Sequence, residues 1–482
     1  MRDLLDRRLA GILLHPTSLP GSGAQGRFGA DAHRFVQFLA EAGIGVWQVL
    51  PLGPTHADGS PYQCLSAHAI DPRFLDVERL NAEGWPLAQE TERTPGAFDV
   101  LLRGMTPAQR VGFEGFRAAQ AHWLDDYALF IALKAVYHQC GWFDWPAPLR
   151  ERDPEALRWA RHALRRRIEG ICLEQYLLYS QWLALREHAR ERGILLFGDM
   201  PIFVAYDSAD VWSRPELFLL DDLGRPTHVA GVPPDYFSAT GQRWGNPLYA
   251  WERHAADGYQ WWRERLRSHM ALFDLVRIDH FRGLEAYWEI PVSCPTAIEG
   301  RWVPGPGAAL LAALAEEAPG LPLIAEDLGI ITPEVVKLRE DFHLPGMRIL
   351  HFAFDGGADN PYLPHRHTRD SVVFTGTHDN DTTVSWFASL SAEQQAHVRD
   401  YLGVAPEEDP ARFLSRTAFA SVANLAIIPL QDALELGGEA RMNTPGTTEG
   451  NWAWRFDWEE LPDDLAARLR HMSALYGRLP QA

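Results

Sequence analysis

The stretches Arg277-Ile278-Asp279-His280-Phe281-Arg282, Ala325-Glu326-Asp327-Leu328-Gly329 and Thr377-His378-Asp379-Asn380-Asp381 each set a carboxylate at the end of an apolar run. A run of strand length without polar alternation reads as a strand buried on both faces, as in a parallel sheet covered by helices. Charge is costly in that setting unless chemistry requires it. Three acids arriving in chain order at the same end of successive strands is the arrangement expected of a barrel enzyme working on glycosidic bonds, where one acid attacks and another donates a proton.

Working outward from these three, apolar runs of strand length occupy Gly11–His15, Val46–Pro51, Ile194–Phe203, Leu275–Phe281, Leu323–Gly329, Met347–Phe354, Ser371–Asp379 and Leu425–Asp432. Eight such strands close a barrel, so the expected fold class is α/β, a TIM (β/α)8 barrel. Helical patterns lie between them. Asp31–Gly43 has apolar residues at helical spacing, an acidic start and a terminal glycine, and Thr332-Pro333-Glu334 reads as an N-cap with proline at the first helical position.

Two intervals are too long for plain connections, residues 52–193 and 204–274, and are read as insertions after the second and third strands. The first is mainly helical. Its stretch from Pro154 to Arg192 is amphipathic around Ile168, Ile171, Leu173, Tyr176, Leu177 and Trp182 and should pack on the barrel flank, with Arg161 to Arg167 as a solvated face. The second carries Gly231 to Pro247, whose composition reads as a lid or binding loop. After the eighth run only residues 433–482 remain, with a helix near Pro462 to Tyr476, so no C-terminal β-sandwich is expected and one catalytic domain spans 1–482.

The 46% hydrophobic and 23% charged content of the 482 residues is that of a globular protein. A formal charge of −19 repels phosphate backbones and anionic lipid, which argues against nucleic acid or membrane as partner. Cys64, Cys140, Cys172 and Cys294 are scattered, without CxxC pairs or histidines at ligand spacing, so neither disulfides nor zinc are expected. No secretory leader or apolar span is recognisable, and the expected location is cytoplasmic. No GxGxxG directly follows a strand run and no GxxxxGK occurs, so no cofactor is expected. The 18 tryptophans leave two uses open, core packing and stacking on sugar rings.

Arg277 and Asp279 are two apart and should point together to the barrel axis. An arginine there favours an ionised carboxylate, as a nucleophile attacking an anomeric carbon requires; a structural ion pair is the alternative. Glu326 falls on the adjacent fifth strand, where a less polar setting would suit it to proton donation, and Asp327 is the competing acid. Asp379, ending the seventh strand, is suited to binding sugar hydroxyls and stabilising an oxocarbenium-like transition state, with His378 donating a hydrogen bond beside it. Metal binding by the His-Asp-Asn-Asp run lacks a second histidine cluster, so no metal is expected. Asp199, ending the third strand, could orient hydroxyls or the nucleophile, or cap the turn before Pro201.

These segments resemble the amylomaltases, the 4-α-glucanotransferases of glycoside hydrolase family 77 in the α-amylase clan. The resemblance runs from Leu13-Leu14-His15-Pro16-Thr17-Ser18-Leu19-Pro20 to Arg441-Met442-Asn443-Thr444-Pro445-Gly446-Thr447. It implies Asp279 as nucleophile, Glu326 as acid/base and Asp379 as the transition-state carboxylate, with Arg277, His378 and Asp199 as the clan's supporting residues. Ser60-Pro61-Tyr62-Gln63, Pro234 to Pro247 and Arg441-Met442-Asn443 separate this family from ordinary amylases. By the same resemblance Ser60, Tyr62, Gln242, Trp244, His280, Asn443 and Asp355 bind glucan.

The activity that the resemblance implies is that of a retaining 4-α-glucanotransferase, passing α-1,4-glucan segments from donor maltooligosaccharides to acceptor glucans or glucose through a β-glycosyl-enzyme intermediate. A hydrolase of the same clan would instead produce net reducing ends, and a non-catalytic glucan-binding protein would have no need of a nucleophile and acid pair.

Overall fold

A strand that hides both faces needs helices or loops on one side and its own barrel interior on the other. The computed structural model, which describes residues 6–21, 23–87, 97–234 and 238–480, turns all eight apolar runs into strands. In chain order the strands are β1 (Leu9–Leu13), β2 (Val46–Gln48), β3 (Leu195–Met200), β4 (His228–Val232), β5 (Gln242–Pro247), β6 (Leu275–Ile278), β7 (Ala286–Pro291), β8 (Arg301–Pro304), β9 (Leu323–Ala325), β10 (Gly346–Ile349), β11 (Ser371–Phe374) and β12 (Leu425–Pro429). A parallel sheet of eight runs β10-β11-β12-β1-β2-β3-β6-β9. Its two end strands meet where Ala325 N–H donates to Pro345 O at 2.9 Å, which makes a nearly closed barrel.

Side-chain alternation sorts the core. Leu9, Val46, Phe197, Leu275, Ile324, Met347, Val372, Phe374 and Ile427 fill the barrel. Leu196, Val276, Ala325, Val373 and Ala426 join the larger cluster between the strands and the surrounding helices. At Gly198 a Cβ would come 2.4 Å from the Phe273 ring, so the absence of a side chain lets β3 sit close to its neighbour. The strands are shorter than the apolar runs. β6 ends at Ile278 because His280 adopts left-handed backbone, φ 50°, and Phe281–Leu284 winds into a short 3-10 helix.

The helix Ala30–Glu41 is followed by Gly43 at φ 64°. The helix Pro333–Asp341 starts after Thr332 as expected, although the Thr332 side chain makes no capping hydrogen bond. Between β2 and β3 the long helix Arg165–Arg190 buries Ile168, Ile171, Leu173, Leu177 and Trp182, and the Trp182 indole donates to Leu272 O at 2.9 Å. Tyr176 is only partly buried there, and Arg165 and Arg166 are exposed. Trp47, Trp85, Trp123, Trp142, Trp145, Trp182, Trp212, Trp261 and Trp262 are core residues.

One reading is corrected. The segment Gly231 to Pro247 is not loop throughout, because it starts in β4 and ends as β5, and the two pair antiparallel. They belong to a four-stranded antiparallel sheet, β5-β4-β7-β8, completed by strands that come after β6. Asp235, Tyr236 and Phe237, at the centre of the expected loop, lie outside the described residues.

At the opposite end of the barrel, the fully buried Arg478 donates to five carbonyls: Leu9 O, Phe419 O, Ser421 O, Ala423 O and Asn424 O, at 2.7 to 3.0 Å. Leu9 is in β1, and the other four precede β12, so one side chain ties the chain's two ends together.

Candidate active site

The parallel register sets Asp199 of β3 beside Arg277 of β6, both at inward positions. The Arg277 guanidinium then forks. Nη1 donates to Asp199 Oδ2 and Nη2 donates to Asp279 Oδ1 at 2.7 Å, while the Tyr62 hydroxyl donates to Asp199 Oδ2 at 2.7 Å. Asp199 is fully buried, with Oδ1 unpartnered, and Arg277 nearly so, whereas the Asp279 side chain keeps 27% exposure and opens to the cleft. Asp199 thus holds the arginine that holds Asp279; it does not merely cap a turn.

Arg277 alone does not set the ionisation of Asp279. Burial is the larger influence and raises its pKa; Arg277 opposes, and Asp199, Glu326 and Asp379 add to the rise. Glu326 is raised as well, by burial first, opposed by Arg277 and by two backbone amides. These amides fix its position: His280 N–H donates to Oε2 at 2.7 Å and Leu328 N–H to Oε1 at 3.0 Å. Main-chain bonds from Glu326 N–H to Ile278 O and from Phe281 N–H to Glu326 O join the two acid-bearing segments directly. Asp327 turns outward and accepts from Met347 N–H, as alternation requires.

Asp379 is approached from the far side. Its Oδ1 accepts from Asn443 Nδ2 at 2.6 Å, with His378 Nε2 farther away at 3.4 Å, so the asparagine rather than the histidine makes the close bond. His378 is buried, its pKa lowered chiefly by burial, and it stacks on Tyr62 at 5.2 Å and 14°. Four carboxylates, one arginine and an aromatic wall at the carboxyl ends of β3, β6, β9 and β11 can bind a sugar ring and bring two acids to one bond.

Residues 14–460 match glycoside hydrolase family 77, the 4-alpha-glucanotransferases. The chain belongs to the 4-alpha-glucanotransferase family. It is 49% identical to the 4-alpha-glucanotransferase of Thermus thermophilus over 98% of this chain and 99% of the relative. The chloroplastic/amyloplastic 4-alpha-glucanotransferase of Arabidopsis thaliana is 42% identical over 98% of this chain and 86% of that one. The amylomaltase of Streptococcus agalactiae in complex with acarbose superposes with a TM-score of 0.93 at 36% identity, covering 98% of this chain and all of that one.

The other residues expected to bind glucan join the acid cluster through neighbouring side chains, except Asp355. Ser60 Oγ accepts from Tyr62 N–H at 3.3 Å, and Gln63 Nε2 donates to Asn246 Oδ1 at 3.1 Å, which ties the Ser60–Gln63 turn to β5. On β5, Gln242 is exposed and accepts from Trp244 Nε1 at 3.0 Å; Trp244 stands edge-on to His280 at 4.9 Å. Burial pulls His280 down to about 3 and keeps it neutral, with Nε2 buried and unpartnered. Asp355 is exposed and accepts from Asn360 Nδ2 at 2.9 Å, a bond confined to its own loop.

Two further side chains touch Tyr62, His378 or Asp379 without being among the expected binders. Trp452, at φ 63°, lies 6.1 Å from the Tyr62 ring and 6.0 Å from His378, completing the aromatic wall. Arg441 stands out in the sequence only as part of a motif; its guanidinium donates to Asp379 O at 2.8 Å and Asn443 O at 2.8 Å. The only sequence signal for Trp452 is an aromatic in a Gly- and Asn-rich run, Gly450-Asn451-Trp452.

Proposed function

We propose that this enzyme is a retaining transglycosylase in which Asp279 attacks the anomeric carbon of an α-1,4-glucan while Glu326 protonates the leaving oxygen. The leaving chain departs with that proton, and the sugar remains bound to Asp279 as a β-glycosyl ester. An acceptor 4-hydroxyl then attacks, passes its proton to Glu326 and frees the carboxylate. The observation that carries this reading is the Arg277 fork, which holds Asp279 against the barrel wall beside Glu326 on the adjacent strand segment. Asp379, held by Asn443, is assigned to the sugar hydroxyls and the developing positive charge.

Trp244 and Gln242 on β5, with Ser60, Tyr62, His280 and Asp355, are assigned to donor and acceptor glucan, and the β4–β5 hairpin to keeping water out while an acceptor hydroxyl is positioned. The acarbose in the Streptococcus agalactiae relative supports maltooligosaccharides as substrates. All of these roles are assigned to one catalytic unit with 52–193 and 204–274 as its insertions. Among the described residues no helix is long and apolar enough to cross a membrane, and the scattered free cysteines support a cytoplasmic location.

Incubation with maltotriose tests the reading. A ladder of longer glucans with glucose release and constant total reducing ends is expected. Rising reducing ends without longer products would make the enzyme a hydrolase, and no change would leave a glucan-binding protein.

A further inference from the structure

The barrel ladder has a seam between its end strands, β9 and β10, and the acid assigned to proton donation stands beside it. Where ladder bonds would continue past Ala325, a side chain takes over. The Asp327 carboxylate, buried, accepts from Met347 N–H at 2.7 Å through Oδ1. Its Oδ2 lies 3.3 Å from Arg339 Nε and 3.6 Å from Arg348 Nη1. Gly346 makes room for it, since a Cβ there would stand 2.3 Å from Oδ2.

Asp327 and Glu326 are neighbours on alternate faces, so the peptide between them is pinned from both sides. Inside, Glu326 accepts from the His280 and Leu328 amides. Outside, Asp327 grips β10 and the helix Pro333–Asp341 through Arg339. We infer that Asp327 is a positioning residue for Glu326, its carboxylate replacing the ladder bond that β9 and β10 lack and fixing the main chain from which Glu326 reaches the glycosidic oxygen. It touches no substrate. The inference rests on Glu326 being the proton donor, and the test separates the two.

Misplacing a catalytic group by about 1 Å costs on the order of 100-fold. The variants Asp327→Ala, Asp327→Asn and Glu326→Gln are each assayed with maltotriose, whose leaving oxygen needs a proton, and by first-turnover fluoride release from α-maltotriosyl fluoride, whose leaving group needs little help and whose departure precedes the step in which Glu326 acts as base. For Asp327→Ala, kcat with maltotriose should fall about 10- to 100-fold with KM within about twofold, while the first-turnover release of fluoride stays within about threefold. Asp327→Asn keeps an acceptor for Met347 N–H and loses the ion pairs, so it should show a smaller loss with the same donor preference. If the alanine variant does not fold, the asparagine variant decides by that preference.

Equal losses with both donors in the folded Asp327 variants, or no loss, while Glu326→Gln spares the fluoride, would overturn the positioning role. Equal losses with both donors in Glu326→Gln would overturn the acid assignment and this inference with it.

Discussion

Replacing Arg277 by glutamine removes the cation that two carboxylates share. Asp199 is fully buried and would lose its charged partner, and leaving one member of a buried pair unpaired costs about 3–5 kcal/mol. Asp279 adds little to that figure because its side chain is 27% exposed and water screens it. At about 2.1 cal/mol/K per residue, the unfolding entropy of 482 residues is about 1 kcal/mol/K, so the melting temperature should fall by about 3–5 °C. The sign with pH is set by burial. A carboxyl group raised above its unfolded value, as Asp279 is, contributes stability that is fully present below the unfolded value and lost as pH rises through the folded one. Removing Arg277 raises Asp279 further, so the deficit against wild type should be larger at about pH 8 than at about pH 5. Turnover should drop about 100- to 1000-fold, as for loss of a preorganised electrostatic group. Scanning calorimetry at the two pH values, with maltotriose turnover at both, reads all three. A variant equally destabilised at both pH values, or one with wild-type turnover, would refute the reasoning.

Asn443→Ala removes the 2.6 Å bond to Asp379, and because water reaches that half-exposed carboxylate the loss in kcat/KM should be about tenfold, measured with maltotriose. Burial raises Asp279 and Glu326 together, so ionised Asp279 is lost early as pH falls and protonated Glu326 survives as pH rises; an acid limb of kcat/KM at about 4, the free-carboxyl value, would contradict this. Asp279→Asn should abolish turnover while calorimetry still detects maltotetraose binding, and retained turnover would remove the nucleophile assignment. Arg478→Leu removes a donor shared by five carbonyls, of which Phe419 O and Ala423 O keep Arg8 and Asn424 O keeps Leu9 N–H, and should cost about 3 kcal/mol of stability, seen as a lower melting temperature with turnover preserved below it.

The barrel is legible in the sequence because its strands hide both faces, which leaves continuous apolar runs. Asp279 and Glu326 are legible for the same reason: a charge ending such a run stands out. The antiparallel sheet is not. In Gln242-Arg243-Trp244-Gly245-Asn246-Pro247 the first residues are exposed and the last buried, and Arg301-Trp302-Val303-Pro304 is almost wholly open to solvent, so neither shows the period of two that marks a half-buried strand. The β4 partner of β7 is also far away in sequence, and local pattern carries no trace of such pairing. Which of Glu326 and Asp327 faces inward follows from alternation once the strand ends at Ala325, whereas the Asn443 bond to Asp379 joins segments that no local pattern connects. Trp452 is hidden because a left-handed backbone at a bulky residue is set by tertiary packing and breaks any periodic pattern.

The carbonyl clasp at Arg478 also sets a timetable for the newborn chain. β1 pairs with β12, and the guanidinium that seals that pairing to Leu9 O arrives only when residue 478 has been synthesised. At roughly 5–20 residues per second, the first strand waits on the order of half a minute to a minute and a half beside the ribosome with one edge unpaired. During that interval its apolar backbone edge is open to other chains, so yield at high expression should depend on whatever shields a single strand until the last turn of the barrel emerges.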